Sequence, residues 1–172
     1  MSREWKWIIL VMLSVLVLAG CGKTLDDRAV AGIRAAQTAF QSNDKNVTEE
    51  IEDVKLYKPA GFSLSENSDA QNIIFTKQDE TYILFNNPNE KKDSKLFYEL
   101  LLADQEKEIV EQATFEEEGV FGFAAVIATG NDRVELIASV GGAKMTTMTK
   151  QKNIEEDLTR MMEIVRSIKR DS

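Results

Sequence analysis

The run GVFGFAAVIATGNDRVELIASV, from Gly119 to Val140, decides the fold. Val120, Phe121, Phe123, Ala125, Val126 and Ile127 form a nearly continuous apolar stretch rich in β-formers, and Val134 to Val140 repeats it. Between them lies Gly130-Asn131-Asp132, residue types that tolerate positive φ. Two such runs joined by so short a turn make a β-hairpin. Toward their middles both strands are apolar on nearly every residue. They therefore read as central strands, covered on most of one face and part of the other.

Toward the C-terminus, Gly141-Gly142 ends the sheet, and the Thr- and Lys-rich segment from Ala143 to Lys152 reads as a loop crossing an edge. Lys144, Lys150 and Lys152 make it the basic patch of an acidic chain. A helix follows. Asn153 and Glu156 have the spacing of a capping box. Ile154, Leu158, Met161, Met162, Val165 and Ile168 recur at helical spacing, with Glu155, Asp157, Arg160, Arg166 and Lys169 on the other face. Lys169 and Arg170 then fall at the negative end of the helix.

Toward the N-terminus, Glu108 to Phe115 reads as a strand of imperfect alternation. Before it, Ser94 caps a helix whose Leu96, Phe97, Leu100 and Leu101 form a stripe buried along one whole side. Ile73 to Thr76 and Thr81 to Phe85 are two more strands, joined through the polar loop Lys77 to Glu80. Val54 to Lys58 and Phe62 to Ser65 alternate on either side of Pro59-Ala60-Gly61, after a polar connector from Thr48 to Asp53. From Asp26 to about Gln41, Val30, Ile33, Ala36 and Phe40 mark a narrow, Ala-rich helical stripe suited to close packing against a sheet, with Thr24 as its N-cap. The order is helix, strands, helix, strands, helix. That is an α+β chain, an antiparallel sheet flanked by helices.

The first residues do not belong to this pattern. Arg3 and Lys6 precede an apolar run from Trp7 to Ala19, which ends in small residues. This is the layout of a secretory signal. As a helix the run spans about 20 Å, short of a hydrocarbon core of about 30 Å. Leu18-Ala19-Gly20-Cys21 resembles the lipobox of bacterial lipoproteins. That resemblance implies diacylglyceryl modification of the Cys21 thiol and cleavage between Gly20 and Cys21. It further implies a protein held on the extracytoplasmic face of the cell membrane. Residues 1–20 are then the signal peptide, 21–25 a lipidated tether and 26–172 one α+β domain.

A second resemblance covers about residues 52–170. A strand followed by Pro59, Gly61 and Phe62, a hairpin, a helix, further antiparallel strands and a helix ending Val165-Arg166-Ser167-Ile168 is similar to the PsbP-like α/β/α sandwich. That sandwich occurs in extrinsic photosystem subunits and in small bacterial lipoproteins. The resemblance implies a binding or assembly module without shared catalytic residues.

Composition bounds the chemistry. The 172 residues carry a formal net charge of −8, and removal of residues 1–20 with Arg3, Lys6 and Glu4 makes the balance slightly more negative. Such a chain gains nothing from counterion release, so nucleic acid is not its partner. Anionic headgroups repel it, so the two acyl chains on Cys21 must hold it at the membrane unaided. Cys21 is the single cysteine and there is no histidine. This excludes an internal disulfide, Ser-His or Cys-His catalysis and His-ligated zinc.

The remaining candidates read as structural. Glu116-Glu117-Glu118 is extended, so its neighbouring carboxylates diverge. Asn86, Asn87, Asn89, Glu90 and Asp93 offer oxygen ligands without the spacing of a Ca²⁺ loop. Gly141-Gly142 lacks the surroundings of a phosphate loop. Met161-Met162 reads as core packing. The expectation is a non-enzymatic binding or assembly module without metal or cofactor, working on an envelope protein or small molecule. An envelope hydrolase built on a carboxylate pair and a structural spacer lipoprotein are the alternatives.

Overall fold

The computed structural model describes residues 22–42, 44–130 and 132–170. The lipobox and its Cys21 lie outside the described residues, as does Asn131 of the hairpin turn.

The chain opens with helix α1 (Leu25–Ser42). Thr24 caps it: the Asp27 N–H donates to Thr24 Oγ1 at 3.1 Å, and the Thr24 N–H donates to Asp27 Oδ2 at 3.1 Å. These bonds satisfy otherwise orphaned donors at the helix start. Short strands β1 (Glu49–Ile51) and β2 (Val54–Leu56) follow, then β3 (Ser63–Leu64), β4 (Asn72–Lys77) and β5 (Glu80–Asn86). After α2 (Leu96–Ala103) come β6 (Glu108–Glu117), β7 (Val120–Ala128), β8 (Arg133–Val140) and β9 (Ala143–Lys150). A 3₁₀ turn, Gln151–Asn153, leads into α3 (Ile154–Ser167), and β10 (Lys169–Arg170) closes the chain.

Seven strands form one antiparallel sheet in the order β3-β4-β5-β9-β8-β7-β6, while β1, β2 and β10 form a separate three-stranded sheet. Strands β7 and β8 lie inside the large sheet, between β6 and β9, and all nine residues of β7 except Ala128 are buried. The fold class is therefore the α+β arrangement expected, with antiparallel sheets flanked by helices. On one face, α1 and α3 seal a core containing Phe40, Phe75, Tyr82, Leu136, Met145, Leu158, Met161 and Met162. On the other, Phe97 and Leu101 of α2 cover Phe121, Phe123, Ala125, Ile127 and Ile137.

Four local expectations are corrected. Ala143 to Lys150 is not an edge loop but strand β9, paired between β5 and β8. Its inward residues Ala143, Met145, Thr147 and Thr149 are all buried, because the threonine hydroxyls find internal acceptors and so tolerate burial. Helix α2 does not bury its whole stripe. Leu100 is 55% exposed and Leu102 is 53% exposed, since only the Phe97–Leu101 edge of this short helix meets the sheet. Asn153 and Glu156 form no capping box: Asn153 makes no side-chain cap bond, and Glu156 is drawn to Lys77 at 2.8 Å. Finally, α3 stops at Ser167, and Lys169 and Arg170 pair with Lys55 and Val54 as a strand. Ser167 ends the helix by donating to the Ile164 carbonyl at 2.7 Å while accepting the Tyr57 N–H at 2.8 Å.

Helices α1 and α3 run side by side in the same direction. Gly32 lies against Ile154 and Leu158 near the start of α3, and Phe40 lies against Arg166 near its end. Their N-terminal ends, with the Gly22–Thr24 segment, therefore share one pole of the molecule. Their C-terminal ends share the other.

Candidate functional site

A cleft of about 460 Å³ opens at the pole where α1 and α3 end. Its apolar floor is Val120, Val140, Ala143, Val165 and Ile168, and its charged rim is Lys91, Lys92, Arg166, Lys169 and Glu90. The wall carrying the two adjacent lysines is the connection between β5 and α2. Close backbone contact fixes it. Gly141 has φ of 52°, and a Cβ there would stand 2.7 Å from the Lys91 carbonyl oxygen. A Cβ on Gly142 would stand 2.6 Å from the Asn87 carbonyl oxygen. The Asn87 N–H donates to the Gly142 carbonyl at 2.7 Å, and the Phe121 N–H donates to the Lys92 carbonyl at 2.9 Å. Gly141-Gly142, read from the sequence as the end of the sheet, is instead the turn between the paired strands β8 and β9, and it also seats the loop that forms the cleft wall.

Arg166 is the most buried cation of the rim, its side chain 10% exposed. Its guanidinium stacks 4.8 Å above the Phe40 ring, donates from Nε to the Phe40 carbonyl at 3.1 Å and lies 3.5 Å from Glu117. Lys91, Lys92 and Lys169 pair with no carboxylate among the described residues. Sequence reasoning missed these four residues as a group. Lys91-Lys92 is a dibasic pair in an acidic chain, a signal that was available; its convergence with Arg166 and Lys169 depends on tertiary structure.

The candidates read as structural are placed as follows. Glu116 and Glu117 diverge: Glu116 meets Lys95 at 2.8 Å on one face, and Glu117 meets Arg166 on the other. Glu118 and Gly119 form the tight turn that follows, with φ of 48° and 75°. The Asn-rich loop satisfies itself, with the Asn89 N–H donating to Asn87 Oδ1 at 3.1 Å and Ser94 donating to Glu90 at 2.5 Å. Met161 and Met162 are fully buried in the core. Lys144, Lys150 and Lys152 do not form one patch. Lys144 lies 5.1 Å above the Phe97 ring at one end of β9, and Lys150 ends the strand six residues away. Among the described residues no group of three His, Cys, Asp or Glu could hold a metal.

Two carboxylates do meet, at the pole opposite the cleft. Thr149 Oγ1 lies 2.8 Å from both Glu80 Oε1 and Asp157 Oδ2. The Tyr82 hydroxyl lies 2.9 Å from Asp157 Oδ1 and 3.1 Å from Glu80 Oε2, and Lys77 donates to Asp157 at 3.1 Å. Burial, then the adjacent Asp157 and Glu80, raise the Tyr82 hydroxyl far above its ordinary value. Asp157 is fully buried, and the cluster ties the β4–β5 hairpin and β9 to α3. On the sheet face beside α2, Ile83, Phe85 and Met148 stand partly exposed. No helix among the described residues is long and apolar enough to cross a membrane.

No family model matches the chain, and no curated protein matches it. Among solved structures, the chain is similar to the solution structure of cyanobacterial PsbP (CyanoP) from Synechocystis sp. PCC 6803. The identity is 11%, with 73% of this chain and 92% of that chain covered and a TM-score of 0.45.

Proposed function

We propose that this protein is a non-enzymatic binding or assembly module, lipid-anchored through Cys21 on the extracytoplasmic face of the cell membrane, with the cleft at the end of α1 and α3 as its ligand face. The observation that carries this reading is the polarity of the molecule. The segment that follows Cys21 enters α1 at one pole, and the cleft opens at the other. Eighteen helical residues separate them, a span of about 27 Å at 1.5 Å per residue. A domain tethered at one end offers the opposite end to whatever lies beyond the membrane surface. A pocket of a few hundred Å³, part apolar and part charged, is the usual form of a small-molecule site.

Two measurements test the two halves of the reading. In cells fed an alkyne-labelled fatty acid, the full chain takes up label and Cys21→Ala does not; labelling of the variant would remove the anchor. For the binding half, small solutes of mixed charge titrated into the protein move backbone amide resonances around residues 91–92, 140–143 and 165–169. A panel that leaves all of these unmoved would remove the cleft as the ligand face.

A further inference from the structure

The charge of the cleft runs against the charge of the chain. The whole sequence is at −8, yet the rim gathers Lys91, Lys92, Arg166 and Lys169 around the single carboxylate of Glu90, whose Oε2 already accepts the Ser94 hydroxyl. Cations beside a helix C-terminus are ordinary, because they complement the partial negative charge there. That accounts for Arg166 and Lys169 only. Lys91 and Lys92 belong to a connecting loop, and the packing of that loop on Gly141 and Gly142 is what brings them to the same opening. Like charges brought together repel one another. The arrangement is stable when a counter-charge sits between them, and a cleft with low-dielectric walls focuses the field on that point.

The Arg166 guanidinium adds geometry to charge. Phe40 and Glu117 hold it in place through the ring face, Nε and Nη2, and among the described residues Nη1 has no partner. A fixed guanidinium N–H beside the exposed ammonium groups of Lys91, Lys92 and Lys169 is the donor set that takes carboxylate or phosphate oxygens. Below the rim, Val120, Val140, Val165 and Ile168 provide an apolar floor. We infer that the cleft binds a small organic anion carrying two or more negative charges on one end and an apolar body on the other. This rests on the cleft being the ligand face. The pole it occupies, about 27 Å from the tether by helix rise, assigns the ligand to the soluble phase and not to headgroups of the anchoring membrane.

The test uses the full chain in detergent micelles, followed by amide shifts and by calorimetry. Phenyl phosphate and phthalate, each a doubly charged group on an apolar ring, bind at the cleft amides with an affinity that falls as salt is raised. The exposed pair Lys91→Gln/Lys92→Gln weakens both by about tenfold, the loss of two partly solvated charge contacts, while Lys152→Gln on the far pole changes neither. If benzyl alcohol binds the cleft as well as phenyl phosphate does, or the double variant binds both anions unchanged, the anion assignment is overturned and the ligand face stands. If neither charged nor neutral probes move the cleft amides, both fall. Nanodiscs of phosphatidylglycerol and of phosphatidylcholine separate the sources. Equal cleft spectra in the two support a soluble ligand, and cleft shifts confined to phosphatidylglycerol overturn it.

Discussion

The guanidinium of Arg166 lies 4.8 Å from the centre of the Phe40 ring and donates through Nε to the carbonyl oxygen of the same residue at 3.1 Å. Phe40 is in the last turn of α1, where carbonyls have no partner within the helix. One side chain from α3 therefore caps α1, stacks on it and forms part of the cleft rim. Arg166→Met keeps the apolar stem and removes the rest. The expected loss is about 1–3 kcal/mol in urea unfolding, for one charge-assisted hydrogen bond and one partly buried cation–π contact. Arg166→Lys recovers little, because an ammonium cannot both stack flat and donate sideways. A variant as stable as the parent would show that this clamp contributes nothing.

Gly32 sets how closely the two long helices approach. A Cβ added there would stand 2.5 Å from Ile154 Cγ2 and 3.1 Å from Leu158 Cδ1. In an exposed helix, Gly→Ala is worth up to about 1 kcal/mol of helix propensity. Here overpacking, commonly about 1–3 kcal/mol, opposes and outweighs it. Gly32→Ala is expected to lower stability, and it is expected to cost less in an Ile154→Ala background, where the Cγ2 atom that the new Cβ would meet is gone. Thermal unfolding of both variants checks the sign, and a Gly32→Ala protein more stable than the parent would mean the helices separate freely.

How far the sequence carried depends on what kind of signal each element had. The hairpin from Gly119 to Val140 and the stripe of α3 were legible because burial there is nearly complete and periodic. The Ala-rich face of α1 announced close packing, and sequence reasoning assigned it to a sheet. It packs on strands, but Gly32 and its neighbours also meet α3, which no local pattern distinguishes. Strand β9 was hidden because threonine carries two signals, a β-branched carbon and a polar hydroxyl. The hydroxyl suggested a loop, yet Thr147 donates to the Thr81 carbonyl at 2.8 Å and is buried at no polar loss. The cleft was hidden for a topological reason. Its four cations come from a loop and, more than 70 residues later, from the far end of a helix and the short strand after it, and only the Gly141-Gly142 seat for the loop joins them.

Asp157 is fully buried and accepts from Lys77, Tyr82 and Thr149. Removing one partner of a buried charged network leaves the others unpaired, and Asp157→Ala is expected to destabilise by about 3–5 kcal/mol. The alkaline limb gives a second reading of the same cluster. The Tyr82 hydroxyl is raised in the folded protein, by burial first and then by Asp157 and Glu80, from an unfolded value of 10.0. Above pH 10.0 the unfolded chain gives up a proton that the folded chain keeps, so stability falls as pH rises there. Tyr82→Phe removes that slope. Stability curves for parent and variant with equal slopes above pH 10.0 would contradict the assignment.

Lys144 provides the opposite case, a charge that folding works against. It lies 5.1 Å above the Phe97 ring with its side chain half-buried. Desolvation is the main influence and lowers it from 10.5; Glu135 opposes the shift and Lys107 adds to it. The Glu135 carboxylate itself is already paired with Lys107. A lysine whose folded value is lowered binds its proton more weakly in the native state. Stability therefore rises with pH from that lowered value up to 10.5, as the unfolded chain comes to hold more protons than the folded one. Lys144→Met fills the same space beside Phe97 with no charge to desolvate, and is expected to raise stability at neutral pH by up to about 1 kcal/mol. It also removes this group's rise toward alkaline pH. Because the substitution leaves Lys91, Lys92, Arg166 and Lys169 untouched, anion affinity at the cleft stays as in the parent. A loss of stability at neutral pH would show that the cation–π contact with Phe97 outweighs the desolvation of Lys144.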